Sequence, residues 1–268
     1  MLRPYGVIGF LVMAASEALM FLHVEPVATF HTTIAWWGYI LFIDSLVARR
    51  AGDSLLTRRR RDFVLMAALS VVFWLVFEWY NLYLENWVYA GLPPQAWLRW
   101  LGYVAAFATI TPALLETGEL LATFGPFQRL RVRRRPLSRA TLRWSMAAGL
   151  VMVGSPALWP SPYLFAPVWV GFIFLLDPLV YWMGGRSLWR DLEEGSLRHA
   201  AALFAGGLWC GFLWEFWNYW AHAKWMYIVP IMQGTKIFEM PLLGYLGFMP
   251  FALECFVMFY WAKAMLRF

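Results

Sequence analysis

Long apolar runs follow one another so closely in this chain that no folded soluble domain fits between them. They cover about 5–24, 32–48, 63–84, 101–124, 142–159, 164–183, 199–220 and 241–262. The hydrocarbon core of a bilayer needs about 20 mostly apolar residues per helix, so the pattern predicts about eight transmembrane helices. Only helices and closed barrels satisfy their own backbone groups in lipid, and runs of this length exclude barrel strands. Hydrophobic residues make up 62% of the 268 and charged residues 14%, against about 25% charged in soluble domains. This excludes a soluble enzyme, a disordered chain and an extracellular disulfide scaffold. Cys210 and Cys255 both lie inside apolar runs and read as packing residues. The first run is interrupted by Glu17 and followed at once by further runs, which argues against a cleavable signal peptide.

The net charge of +6 reads differently once the arginines are mapped. Arg49, Arg50 and Arg58 to Arg61 follow the second run. Arg129, Arg131, Arg133 to Arg135, Arg139 and Arg143 follow the fourth, and Arg186, Arg190 and Arg198 follow the sixth. Arg99, Lys224 and Lys236 fall on the opposite side. The positive-inside bias then predicts cytoplasmic N- and C-termini in an inner (plasma) membrane of bacterial type. The arginine clusters would also meet anionic lipid headgroups. They lack an interleaved aromatic groove or a known motif, so nucleic acid is not an expected partner. Trp36, Trp37, Trp87, Trp97, Trp100, Trp159, Trp220 and Trp225 fall near the outer ends of the runs, where most of them read as interfacial anchors.

The two halves resemble each other. Trp36 to Asp44 aligns without a gap on Trp169 to Asp177, and Ser54-Leu55 on Ser187-Leu188. Glu78 and Asn81 match Glu215 and Asn218, Trp87-Val-Tyr89 matches Trp225-Met-Tyr227 after a one-residue slip, and Pro112 to Glu116 matches Pro250 to Glu254. Agreement over three runs predicts a polytopic all-α bundle of two tandem four-helix repeats, 1–128 and 142–268, joined by a basic cytoplasmic linker, 129–141. An even number of helices per repeat keeps their orientation, so a pseudo-two-fold axis would run along the membrane normal, with the poorly matching first and fifth helices at the periphery.

Each half places polar residues inside its apolar runs: Asp44, Glu78, Asn81 and Glu116, then Asp177, Glu215, Asn218 and Glu254. An ionisable group at mid-membrane costs roughly 2.5–3.5 kcal/mol on insertion scales and marks a candidate site. No lysine or arginine lies at that depth to neutralise the six acids, so they need protons, hydrogen bonds or a bound cation. Glu78 and Asn81 share a helix face, as do Glu215 and Asn218. The glutamates sit among rings, including Trp74, Trp214, Trp217 and Tyr219. A carboxyl among aromatic faces suits proton donation, and the faces themselves stabilise a cation. Glu78, Glu116, Glu215 and Glu254 are thus candidate acids. Asn81, Asn218, Trp214, Trp217, Trp225, Tyr227, Asp44 and Asp177 are candidate substrate contacts. The bland alternative for all of them is hydrogen-bonded glue between helices. His23, Glu25, His31 and His222 show no metal-ligand spacing, so neither metal nor cofactor is expected.

The stretch Trp214-Glu215-Phe-Trp-Asn218, then Trp225-Met-Tyr227, then Phe238-Glu-Met-Pro241 and Pro250 to Glu254, distantly resembles the integral-membrane lycopene cyclases and the related carotenoid hydratases. That resemblance implies proton-initiated carbocation chemistry on polyene ends without a redox cofactor, with Glu215 and Glu254 at the Trp-acid and Pro-acid positions. Where the cyclases carry an adjacent acidic pair after the proline, this chain carries Glu254 alone. The leading expectation is therefore an isoprenoid-binding membrane protein, a cyclase or hydratase in its catalytic form. The rivals are a proton- or cation-coupled transporter, and a non-catalytic subunit or assembly factor.

Overall fold

The computed structural model describes residues 2–267. Its helices are α1 (Pro4–Phe21), α2 (Val27–Ala51), α3 (Arg60–Leu84), α4 (Ala96–Phe107), α5 (Ile110–Ala122), α6 (Gly125–Gln128), α7 (Arg139–Leu158), α8 (Phe165–Trp182), α9 (Leu188–Glu193), α10 (Arg198–Trp220) and α11 (Tyr245–Met265). Local chemistry sets several ends. A proline opens α1, and the Ser138 hydroxyl accepts from the Thr141 amide to start α7. Gly52, at φ +75°, closes α2 by donating its amide to Ala48.

Six segments are long and apolar enough to cross a membrane, where the sequence pattern predicts about eight: Pro4–Phe21, Arg60–Leu84, Ala96–Ala122, Pro162–Trp182, Arg198–Trp220 and Leu242–Met265. The two long helices outside this set are α2 and α7. Helix α2 carries His31, Thr32, Thr33, Asp44, Ser45, Arg49 and Arg50, and α7 carries Arg139, Arg143, Ser145 and Ser155, which lowers the mean hydropathy of each. Helix α2 is covered along much of its length by α1 and α5, whereas α7 packs one face on α8 and leaves Trp144, Leu150, Val151 and Leu158 exposed.

The segment read as one helix over about 101–124 is broken after Phe107, before the Pro112 turn. A broken helix in lipid needs substitute partners for its freed backbone groups. Ser70 of α3 supplies two: its hydroxyl donates to the Phe107 carbonyl (2.5 Å) and accepts from the Thr111 amide (3.0 Å).

Two short strand pairs sit in the loops of this mostly helical fold. Strand β1 (Trp87–Ala90) pairs antiparallel with β2 (Lys224–Tyr227), Trp87 opposite Tyr227 and Tyr89 opposite Trp225. A second small pair joins β3 (Lys236–Ile237) to β4 (Met240–Pro241). The first ribbon ties the loop after α3 to the loop after α10.

The two halves repeat the same local contacts. Asp44 accepts from the Ser54 hydroxyl (2.8 Å) and the Leu56 amide (2.9 Å). Asp177 accepts from the Ser187 hydroxyl (3.0 Å) and from the Leu188 and Trp189 amides (3.0 and 2.7 Å). Helix α1 crosses α2 where Gly9 faces Gly38, and α7 crosses α8 where Gly149 faces Gly171. A Cβ on Gly38 would come within 2.8 Å of the Gly9 carbonyl oxygen, so the backbones touch there. Around the centre, α5 packs on α2, α3, α10 and α11, while α1 and α7 lie outside, packed chiefly on α2 and α8 respectively. The arginine-bearing loops meet at one end, where the Leu197 amide donates to Leu130 and the Val132 amide to Gly195.

Candidate functional site

At the end opposite the arginine-bearing loops, a cavity of about 130 Å³ opens between the halves. Its inner wall is made of rings: Trp36 from α2, Trp74 from α3, Phe107 from α4, Trp169 from α8, Trp214 from α10, and Phe248 and Phe251 from α11. The β1–β2 ribbon adds Trp87, Tyr89, Trp225 and Tyr227, and the rim carries Thr29, Pro93, Arg99 and Lys224. Phe251 sits at the hub, its centroid 5.7 Å from Trp169, 6.0 Å from Trp74 and 6.3 Å from Trp214. Such tilted and edge-on pairs hold the ring shell in place.

Carboxyl groups stand one hydrogen bond behind this shell. Glu78 Oε1 accepts from Trp74 Nε1 (2.8 Å), Trp87 Nε1 (3.1 Å) and the Tyr89 hydroxyl (2.5 Å). Glu215 Oε1 accepts from the Tyr227 hydroxyl (3.0 Å), which in turn accepts from Trp225 Nε1 (2.9 Å), while Glu215 Oε2 has no partner. Burial, reinforced by the adjacent glutamate, pushes the Tyr89 and Tyr227 hydroxyls well above the ordinary tyrosine range, so both remain donors.

The asparagines hold the ribbon. Asn81 Oδ1 accepts from the Asn86 and Trp87 amides and its Nδ2 donates to the Trp87 carbonyl. Asn218 makes the same two-way bond to the Trp225 backbone, 2.9 and 2.8 Å. In both halves a side-chain amide three residues past the glutamate positions the strand that carries its partner.

The structure redistributes the candidate residues. Trp214, Trp225 and Tyr227 line the cavity; Glu78 and Glu215 back it through tyrosines. Asn81 and Asn218, expected to touch substrate, position the ribbon instead. Asp44 and Asp177 bind the loops after α2 and α8, because those loops offer amide and hydroxyl donors. Trp217 is turned aside by its bond to Glu17 Oε1 (2.6 Å). Glu116 and Glu254 are fully buried, both oxygens of each lack a hydrogen-bond partner, and neither lines the cavity. His31 bonds Ser16 (2.8 Å), and His222 bonds Glu25 (2.9 Å), which holds the Glu25 carboxyl below its usual range.

Several wall residues escaped the sequence reading. Trp36 and Trp87, expected as interfacial anchors, are 1% and 5% exposed and belong to the core, whereas Trp97 and Trp159 are 69% and 78% exposed. Trp74 was expected among the rings around the glutamates and Tyr89 and Trp169 as members of the repeat, but none of them, nor Phe251, as part of a cavity wall. The alternation in Trp87-Val-Tyr89 was the available signal, since it is a strand pattern in a helical chain.

Compared with protein-family models, curated proteins and solved structures, the chain gives no match.

Proposed function

We propose that the chain is an eight-span membrane protein of two tandem four-helix units that binds the end of an isoprenoid or carotenoid-like lipid in the ring-lined cavity and protonates it. Its termini and arginine clusters face the cytoplasm, the clusters against anionic headgroups of a bacterial-type inner membrane. The observation that carries this reading is the pairing of an aromatic cavity with two carboxyl groups, Glu78 and Glu215, each tied to a wall tyrosine. An enclosed apolar space of about 150 Å³ holds a benzene-sized ligand. The cavity's about 130 Å³ therefore suits a chain end or ring, with the rest of a long lipid outside.

The two glutamates are unlike. Three donors converge on one oxygen of Glu78, the setting of an acceptor, whereas Glu215 has one donor and a bare second oxygen on which a proton can reside. In the proposed step Glu215 is the acid: with its proton on Oε1 and the Tyr227 hydroxyl turned to the cavity, the Tyr227 proton passes to an alkene carbon as the Glu215 proton passes to the Tyr227 oxygen, leaving the charge on the Glu215 carboxylate. The carbocation forms among ring faces that stabilise it. It then closes a ring and loses a proton, or captures water and loses one from the resulting oxonium; either proton returns through Tyr227 to the Glu215 carboxylate, which restores the acid, so no oxidant or reductant is needed.

The test is mass spectrometry of lipid extracted from the protein purified out of a carotenoid-producing host. An isoprenoid enriched to about one molecule per chain over bulk membrane lipid is the expected result. A complement identical to that of the surrounding membrane would remove the reading.

A further inference from the structure

The geometry points to an amphipathic ligand whose single anionic head is held at the cavity rim by Arg99, with its apolar body among the rings. This inference rests on the cavity being the lipid site, as proposed above. Cations are disfavoured on the outer side of a membrane protein by the positive-inside bias. Only Arg99, Lys224 and Lys236 break that pattern, and all three gather at one place. Arg99 and Lys224 line the cavity rim, and Lys236 Nζ donates to the carbonyl of the wall residue Tyr227 (3.2 Å).

The three are not equivalent. Lys224 Nζ is neutralised by Glu239 (2.8 Å), and Lys236 is spent on the ribbon. Arg99 has no carboxylate partner among the described residues. Its Nη1 donates to the Pro93 and Pro94 carbonyls (3.1 and 2.8 Å), which fixes the guanidinium, while Nε and Nη2 make no hydrogen bond to the described residues. A guanidinium anchored on one nitrogen with its other donors free offers the two-pronged geometry that binds phosphate or carboxylate oxygens. It stands in the first turn of α4, where the helix dipole adds to the same sign. Apart from the Lys224–Glu239 pair the rest of the lining is uncharged, mostly rings with a few threonines, so a neutral lipid would leave the Arg99 charge without an anionic partner beside it.

The test uses ligands of one tail and three heads, farnesyl monophosphate, farnesoic acid and farnesol. They are titrated into the full chain in phosphatidylcholine nanodiscs at equal mole fraction and followed by tryptophan emission. One or both anionic ligands should bind about tenfold tighter than farnesol, as a charge-assisted pair requires, and which of them does so identifies phosphate or carboxylate as the head. Arg99→Gln should erase that preference, bringing the anionic ligands to the affinity of farnesol for the same variant, and Arg99→Lys should restore part of it. Equal binding of all three heads overturns the inference and leaves the cavity reading standing. A preference that survives Arg99→Gln also overturns it. Failure of every ligand to bind removes both the inference and the reading beneath it.

Discussion

Gly207→Val is expected to destabilise the protein by about 3 kcal/mol or more, the upper range for overpacking, and to distort the cavity wall. A Cβ at Gly207 would lie 2.2 Å from the Phe248 carbonyl oxygen and 2.9 Å from Ala252 Cβ. The first obstacle is backbone of α11 and cannot swing away. One turn later Gly211 admits the Phe248 ring itself at 2.2 Å from a built Cβ, so α10 offers a groove into which α11 sinks. Forcing the helices apart displaces Phe248 and Phe251, both wall residues. Thermal unfolding in detergent reads the loss. Gly154→Ala in α7 is the control: nothing lies within 4 Å of its built Cβ, so helix propensity favours the alanine by up to about 1 kcal/mol. Equal melting of Gly207→Val and the parent would contradict the α10–α11 crossing.

Glu215→Gln is expected to lower any polyene conversion by at least about 100-fold, the lower bound of what a positioned acid supplies, while leaving folding intact. Glutamine keeps the length of the side chain and an oxygen to accept from Tyr227. It removes only the transferable proton. Glu78→Gln is expected to lower conversion too, because it replaces an acceptor of three donors by a weaker one. Glu254→Gln, away from the cavity wall, should retain conversion. The assay is product formation in D2O, where a proton-initiated step places one deuterium in the product. Conversion unchanged in Glu215→Gln would leave the glutamates as scaffold, binding the ribbon to its helices and nothing more.

Much of this was legible because it is local. Apolar run length marks the long helices, and the match of Asp44 and Ser54 with Asp177 and Ser187 reappears as matched hydrogen bonds. The Trp-x-Tyr pairs were visible as a repeated motif. Their meaning was not, because Trp87 pairs with Tyr227 across about half the length of the chain and no local pattern encodes a partner so distant. Burial of Trp36 likewise depends on Trp214 and Trp217, 4.7 and 4.9 Å away in centroid distance, from another half of the molecule. The helix break after Phe107 needs Ser70, a residue with no sequence signature of its own. Asp44 and Asp177 read as mid-membrane acids because a hydropathy run does not record that the next loop folds back to donate to them.

Photolabelling tests the central claim most directly. A farnesyl ligand carrying a diazirine at its apolar end is irradiated with the full chain in phosphatidylcholine nanodiscs and the labelled peptides are sequenced. Labels are predicted on Trp74, Trp214 and the Phe248–Phe251 turn, with excess unlabelled ligand suppressing them. Labels that resist competition and fall on outward residues such as Leu11 and Val151, 58% and 69% exposed, would contradict a lipid site between the halves.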